Sequence, residues 1–413
     1  MCDTLGSIGD GYACFGKNSD RSPNEPQVLE YRPAAETTAR CVRMTYTSVP
    51  ECAAGTRAVL LSRPVWMWGA EIGVNDAGVC IGNEAVFTRG GYAKTGMTGM
   101  DMLRFTLERA GSAARAVDML IRLVETVGQG GNCGYDHDFF YDNAFLVMDR
   151  ADLFVLETAG AKWAVRRRAH DSISNRLTVG REGERYAGGV RVDFAARHME
   201  PLYSTFSAAA KRRALTLPAA ARATSAADVM RALRQHAPAG GGAAGAPFAR
   251  GSVASPCMHF GGLVGDHTTM SMVVELKPDG DTTVWTTGGS LPCVSLYQPW
   301  RFGTAPQAPV FDADDPAAEA YWTAHERYTR RFRGKAVPEA LYAARDALER
   351  DWTAAAQTAD AHGMAALTKR ASEEARAFYE AWGAAALADV KTNAGFRGRW
   401  AKKDALLGKG RPE

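Results

Sequence analysis

The sequence predicts an α+β fold built on antiparallel strands, with a helical C-terminal extension. Three observations predict it. Strand-like segments repeatedly flank tight-turn signals in the first 300 residues, and well-capped amphipathic helices fall between those hairpins. After about residue 305 the pattern turns alanine-rich and helical.

Taken in order, Leu5–Ile8 and Tyr12–Phe15 flank Gly9-Asp10-Gly11, and Ile72–Val74 and Val79–Ile81 flank Asn75-Asp76-Ala77-Gly78. Leu153–Glu157 and Trp163–Arg167 flank a turn at Gly160; Met272–Lys277 and Thr282–Thr287 flank Pro278-Asp279-Gly280-Asp281. Such short connections join only antiparallel neighbours. Thr98 with Asp101 caps a helix that Gly111 ends. Ser112 caps the next, whose Val117, Leu120, Ile121 and Val124 share one face, and Gly128 closes it. A third helix is expected over Ala227–His236 after Ser225, followed by a flexible loop over 237–247.

Beyond 305 the strands are expected to stop. Asp315-Pro316 reads as N-cap and first helical residue, and Tyr321, His325, Tyr328 and Phe332 recur at helical spacing. Pro338 starts a second helix, and Leu367, Ala371, Ala375, Phe378 and Trp382 mark a third. The expected division is a domain over 1–305 and a helical extension over 306–413, which covers the core or forms a homo-oligomeric subunit contact.

Of 413 residues, 46% are hydrophobic and 23% charged, a globular profile, and the formal net charge is +3. That near-neutral balance argues against a nucleic-acid or anionic-membrane partner, and Arg166–Arg168 reads as solvated surface. No apolar run is long enough for a membrane span, and the first twenty residues lack a signal-peptide pattern. Eight dispersed cysteines without a C-x-x-C pair predict reduced thiols and a cytoplasmic protein. Phosphate-loop, HExxH, GxSxG and GxGxxG motifs are absent, and no cofactor is expected.

Cys2 is the candidate nucleophile. Methionine aminopeptidase removes Met1 ahead of a small second residue, which puts an α-amine of pKa ~8 and a thiol of pKa ~8.5 on one residue. The amine then takes the thiol proton without a histidine. The Gly9-Asp10-Gly11 turn returns Lys17-Asn18-Ser19-Asp20-Arg21 to this terminus. There Asp20 would orient the amine, and Lys17 or Arg21 would lower the thiol pKa.

These residues carry a resemblance. MCDTLGS…FGKNSDRSPNEPQ resembles the N-terminal motif of the secernin and dipeptidase-A group of cysteine N-terminal-nucleophile (Ntn) hydrolases. The blocks at 62–89, 99–110, 128–132, 154–165, 172–180 and 255–259 extend the likeness, closest to secernins, over nearly the whole chain. The resemblance implies a four-layer α-β-β-α sandwich of two antiparallel sheets and amide hydrolysis through an acyl-enzyme on Cys2. It also implies Asp20 as the carboxylate of the N-S-D block, and Asn175 and Asn83 as oxyanion donors. Lys17 stands where the bile-salt-hydrolase and penicillin-V-acylase branch carries arginine. Only Met1 precedes Cys2, so autocatalytic cleavage is expected to be unnecessary.

Other polar residues complete the expected site. Glu84 would bind a substrate amine, Asp266-His267 would line the pocket, and Trp66, Met67 and Trp68, alternating on an expected strand, would wall it. Together with Lys17 and Arg21, Glu84, Trp68 and His267 are the substrate-binding candidates. A zinc site from Cys133, His137, Cys257 and His259 has irregular spacing, so no metal is expected. The substrate that the resemblance implies is a small peptide or amide. The alternatives are an acylase of N-acyl amines and a secernin-like regulatory or binding protein on the same scaffold.

Overall fold

Among the described residues, strand alternation sorts most of the buried apolar side chains into three large cores, and those cores define the layers. The structure is a computed structural model that describes residues 1–36, 41–50, 55–237, 246–262 and 265–411. Among these residues two large sheets form. The six-stranded sheet runs, in spatial order, His170–Ile173, Cys2–Gly9, Tyr12–Arg21, His267–Leu276, Thr282–Thr286 and Gln298–Arg301. The nine-stranded sheet has Cys80–Val86 near its centre, between Asp142–Met148 and Ile72–Asn75.

Successive side chains on a strand point to opposite faces. Phe15, Met272 and Val274 of the six-stranded sheet therefore meet Val74, Leu146 and Val155 of the nine-stranded one in a core between the sheets. The intervening Phe145, Val147 and Leu156 point the other way and pack against Leu103 and Leu120 of the helices Gly99–Leu107 and Ala113–Thr126. On the far side, Leu5, Val273 and Trp285 pack against Val229 and Leu233 of the helix Ala226–Leu233. Trp352, Leu367 and Phe378 of the helices Glu339–Thr358 and Ala361–Ala384 join that same cluster. The architecture is a four-layer α-β-β-α sandwich.

The four expected hairpins form, with Gly11 at φ +77° and Gly280 at φ +103°, a region open to glycine at no steric cost. Thr98, Ser112 and Ser225 each accept a hydrogen bond from the backbone N–H three residues on.

Four expectations need correction. The nine-stranded sheet is mixed, because Val310–Asp312 pairs in parallel with Gln27–Arg32. Strands therefore do not stop at 305; a three-residue strand after Pro309 is too short to show a period. The helix after Ser225 ends at Leu233 and leaves His236 beyond it. Trp66, Met67 and Trp68 follow the strand Val59–Pro64 in a turn rather than alternating on a strand. Residues 238–245 of the expected loop, and Cys52, lie outside the described residues. Among the described residues no helix is long and apolar enough to cross a membrane.

Candidate active site

Cys2 opens the first strand and pairs with Ser19 across the hairpin, but pairing to the edge strand begins only at Thr4, opposite Ile173. The first residues thus lie past the end of that ladder, at the mouth of a pocket between the sheets. Met1, Cys2, Arg21, Glu71, Tyr141 and Asp266 line it, together with Cys133 and His137, and it encloses ≈ 80 Å³. A larger cavity of ≈ 570 Å³ lies between the C-terminal helices, beside Tyr321, His325 and Tyr379. Among the described residues that line it, no nucleophile is hydrogen-bonded to a base.

Alternation divides the polar cluster in two. Lys17, Ser19 and Arg21 share the inter-sheet face with the Cys2 thiol. The thiol donates to Glu71 Oε2 at 3.7 Å, and Lys17 Nζ lies 3.5 Å from the same oxygen. Arg21 binds the other Glu71 oxygen at 2.5 Å and Glu25 at 2.6 Å. Burial pushes the Cys2 thiol up to about 12, against the opposing pull of Lys17, while Glu71 adds to the rise. Burial would also discharge Lys17, but Cys2, Glu71 and Glu84 outweigh it and hold the ammonium above the usual lysine range. Glu71 in turn sits below the carboxylate range, since Arg21 and Lys17 overcome its desolvation.

On the helix-covered face, Asp3 and Asp20 share Arg212, which is fully buried on the helix Ala209–Arg222. Arg212 donates to Asp3 Oδ2 at 2.7 Å and stands 3.7 Å from Asp20 Oδ2. Thr268 donates to Asp20 Oδ1 at 2.6 Å, which leaves Asp20 Oδ2 buried without a hydrogen-bond partner. Burial raises the pKa of both carboxyls: Asp3 despite Arg212, and Asp20 to about 7 despite the Met1 amine and Arg212, with Asp3 adding to the rise.

Asn175 joins the two faces. Its Oδ1 accepts from the Cys2 backbone nitrogen at 2.9 Å and from Arg212 at 2.7 Å, and its Nδ2 donates to Ala85 O at 2.9 Å. Two donors on one side and a carbonyl on the other fix the amide orientation. In front of Cys2, the Met1 α-amine donates to Asp20 O at 2.6 Å and pairs with Asp266 at 2.5 Å. Burial alone would discharge that amine, but Asp266, Cys2 and Asp20 hold it above its usual range.

No family model matches the sequence. Among solved structures, the chain is similar to a mutant of conjugated bile acid hydrolase from Clostridium perfringens. That match has 14% identity over 73% of this chain and 92% of the other, at a TM-score of 0.40. It is similar to penicillin V acylase from Agrobacterium tumefaciens at 10% identity, over 73% of this chain and 86% of that one, TM-score 0.39. Against another variant of the Clostridium perfringens hydrolase it spans 54% of that chain, with 43% of its own length, 16% identity and a TM-score of 0.31.

Of the residues expected from sequence, Cys2, Lys17, Asp20, Arg21 and Asn175 come together around the first peptide. Asn175 holds the Cys2 nitrogen, and its own N–H donor is committed to Ala85 instead of facing the thiol. Asn83 is a correction: it points to the opposite face of its strand, where Nδ2 donates to Asn143 Oδ1 at 3.0 Å beneath the helix Gly99–Leu107. Glu84 is a second correction, because it sits inside the sheet interface bound by the Thr4 hydroxyl and does not line the pocket. Trp68 is a third: it lies under the Arg104 guanidinium, 4.2 Å from its ring centroid. His267 is a fourth, since it belongs to a strand and faces Trp400 and Glu326. Its neighbour Asp266 does line the pocket.

The sequence reading missed Glu71, Glu25 and Arg212. Glu71 lies within the 62–89 block, where its charge amid apolar residues is the one available signal. Arg212 lies in a helix interrupted by Pro218, which reads as a helix breaker.

Proposed function

We propose that this protein is a cysteine amidohydrolase of the N-terminal-nucleophile type that cleaves small peptides through an acyl-enzyme on Cys2. One observation carries the reading: Cys2 heads a strand with its thiol in a pocket and its nitrogen held by Asn175, while the residue before it occupies that pocket. With Met1 attached, burial holds the thiol in its protonated form. Removal of Met1 frees an α-amine on Cys2, at the nitrogen that Asn175 Oδ1 already accepts from.

That amine takes the thiol proton, and the thiolate attacks the substrate carbonyl with Lys17 countering its charge. The ammonium returns the proton to the departing amine, leaving a thioester on Cys2. A water molecule, deprotonated by the same amine, then releases the carboxylic acid and regenerates the thiol.

The seat of the Met1 amine favours a peptidase over an acylase. Asp266 and the Asp20 carbonyl already bind an ammonium group one residue from the nucleophile. An aminoacyl substrate presents its free amine at that distance from the scissile carbonyl, whereas an N-acyl amine offers nothing for Asp266. The resemblance to the secernin and dipeptidase-A group points the same way.

A dipeptide screen with wild-type and Cys2→Ala protein tests the proposal. Cys2-dependent release of amino acids, lost on N-acetylation of the substrate, is expected. A mature protein that retains Met1 and hydrolyses none of the dipeptides would contradict the proposal and point to the regulatory or binding role instead.

A further inference from the structure

Behind the six-stranded sheet, three separate chain segments bring two cysteines and two histidines to one point. His236 follows the helix Ala226–Leu233, Cys257 and His259 precede the strand His267–Leu276, and Cys293 lies between the last two strands of that sheet. We propose that His236, Cys257, His259 and Cys293 form a structural binding site for a divalent cation of the zinc class.

The spacing of the donor atoms carries the argument. Nε2 of His236 and Nε2 of His259 are 3.1 Å apart. The His259 nitrogen lies 3.6 Å from Cys257 Sγ and 3.5 Å from Cys293 Sγ, and all four donors fall within 4.8 Å of one another. Zinc bond lengths in tetrahedral geometry set edges of about 3.4 Å for N···N and about 3.6 Å for S···N. The two S···N separations agree with that geometry, and the N···N separation of 3.1 Å is slightly shorter than its edge.

Hydrogen bonding does not account for the cluster. His259 Nε2 carries either one proton or one lone pair, so it makes one good hydrogen bond, yet three partners converge on it. A cation at the centre satisfies all four donors at once. Two thiolates and two neutral imidazoles give a neutral complex with a divalent ion, which suits a site where Cys257, His259 and Cys293 are buried. Four protein ligands leave no open position, so the site is structural.

Neighbouring groups hold the ligands in place. Ser252 and His259 exchange backbone hydrogen bonds at 2.8 and 3.2 Å, Cys257 N donates to Gln235 O, and Arg345 binds the Cys293 carbonyl. The Phe248 ring packs edge-on against His259. The quartet weighed from sequence does not form, since Cys133 and His137 line the Cys2 pocket; the true partners lie 21 residues before Cys257 and 34 after His259. The site also reaches the strand that pairs with the nucleophile strand: Asn18 donates to Leu233 O and Pro256 O, each at 2.8 Å, one residue from Ser19, the partner of Cys2.

The test is elemental analysis of full-length protein purified without chelator, then cobalt substitution of chelator-stripped protein. About one zinc per chain, a tetrahedral cobalt spectrum with sulfur-to-cobalt charge transfer, and a melting temperature that falls on stripping and returns with zinc are expected. Cys293→Ser and His259→Ala should lose the stoichiometric metal, while Cys133→Ser keeps it. Should the ligand variants fail to fold, the wild-type cobalt spectrum and cadmium-113 resonance decide. Absence of metal with no thiolate band after cobalt loading, a disulfide joining Cys257 to Cys293, or retention of the full cobalt spectrum in Cys293→Ser would each overturn the proposal.

Discussion

The backbone nitrogen of Cys2 donates to Asn175 Oδ1, and the fully buried Arg212 donates to that same oxygen. One side-chain amide thus ties the start of the nucleophile strand to the edge of the sheet and to the helix that covers it.

Asn175→Ala removes this tie and leaves the Cys2 nitrogen, one Arg212 N–H and the Ala85 carbonyl without their present partner. A loss of about 2–4 kcal/mol in stability is expected, from the desolvation cost of unpaired buried groups. Denaturant unfolding measures it, and the Cys2 alkylation rate should change with it because the strand end loses its anchor.

Arg212→Met leaves Asp3 and Asp20 buried without their cation. Breaking a buried ion pair from one side costs about 3–5 kcal/mol. Asp3→Asn alongside Arg212→Met should recover part of that loss, and a double-mutant cycle on unfolding free energies reads the coupling.

Glu84 gives a pH signature. Burial raises its carboxyl from 4.5 to about 8, with Lys17 opposing. The folded state therefore binds a proton that the unfolded state releases. This contribution is complete below pH 4.5 and is lost as pH rises through about 8. Glu84→Gln cannot ionise, so its stability should fall less between pH 6 and pH 9, by on the order of 1–3 kcal/mol, in unfolding curves across that range.

Lys17 and Glu71 should move the Cys2 thiol in opposite directions, because Lys17 lowers its pKa and Glu71 raises it. Lys17→Met is expected to shift the midpoint of Cys2 alkylation to higher pH. Glu71→Gln should shift it lower. Iodoacetamide labelling of Cys2 against pH, followed by peptide mass, checks both.

The sequence made the hairpins and capped helices legible because turn glycines and caps act locally. Long pairings such as Val310–Asp312 on Gln27–Arg32 leave no local pattern. The site was legible where chemistry and chain proximity coincide, as for Cys2, Lys17, Asp20 and Arg21 on one hairpin. It was illegible where a side chain's face depends on distant register. Asn83 and Glu84 are adjacent on one strand, yet one faces the helix layer and the other the sheet interface, and neither lines the pocket. Arg212 and Glu71 reach the site only through the packing of separate layers. The Cys/His cluster joins residues from 236 to 293 in the same manner.

The most direct measurement is intact-protein mass spectrometry of the mature chain, before and after brief exposure to a dipeptide ester. The account predicts a mass lacking Met1 and then an acyl adduct on Cys2 that decays with water and never forms in Cys2→Ala. A chain that still carries Met1, or an adduct formed equally in Cys2→Ala, would contradict it.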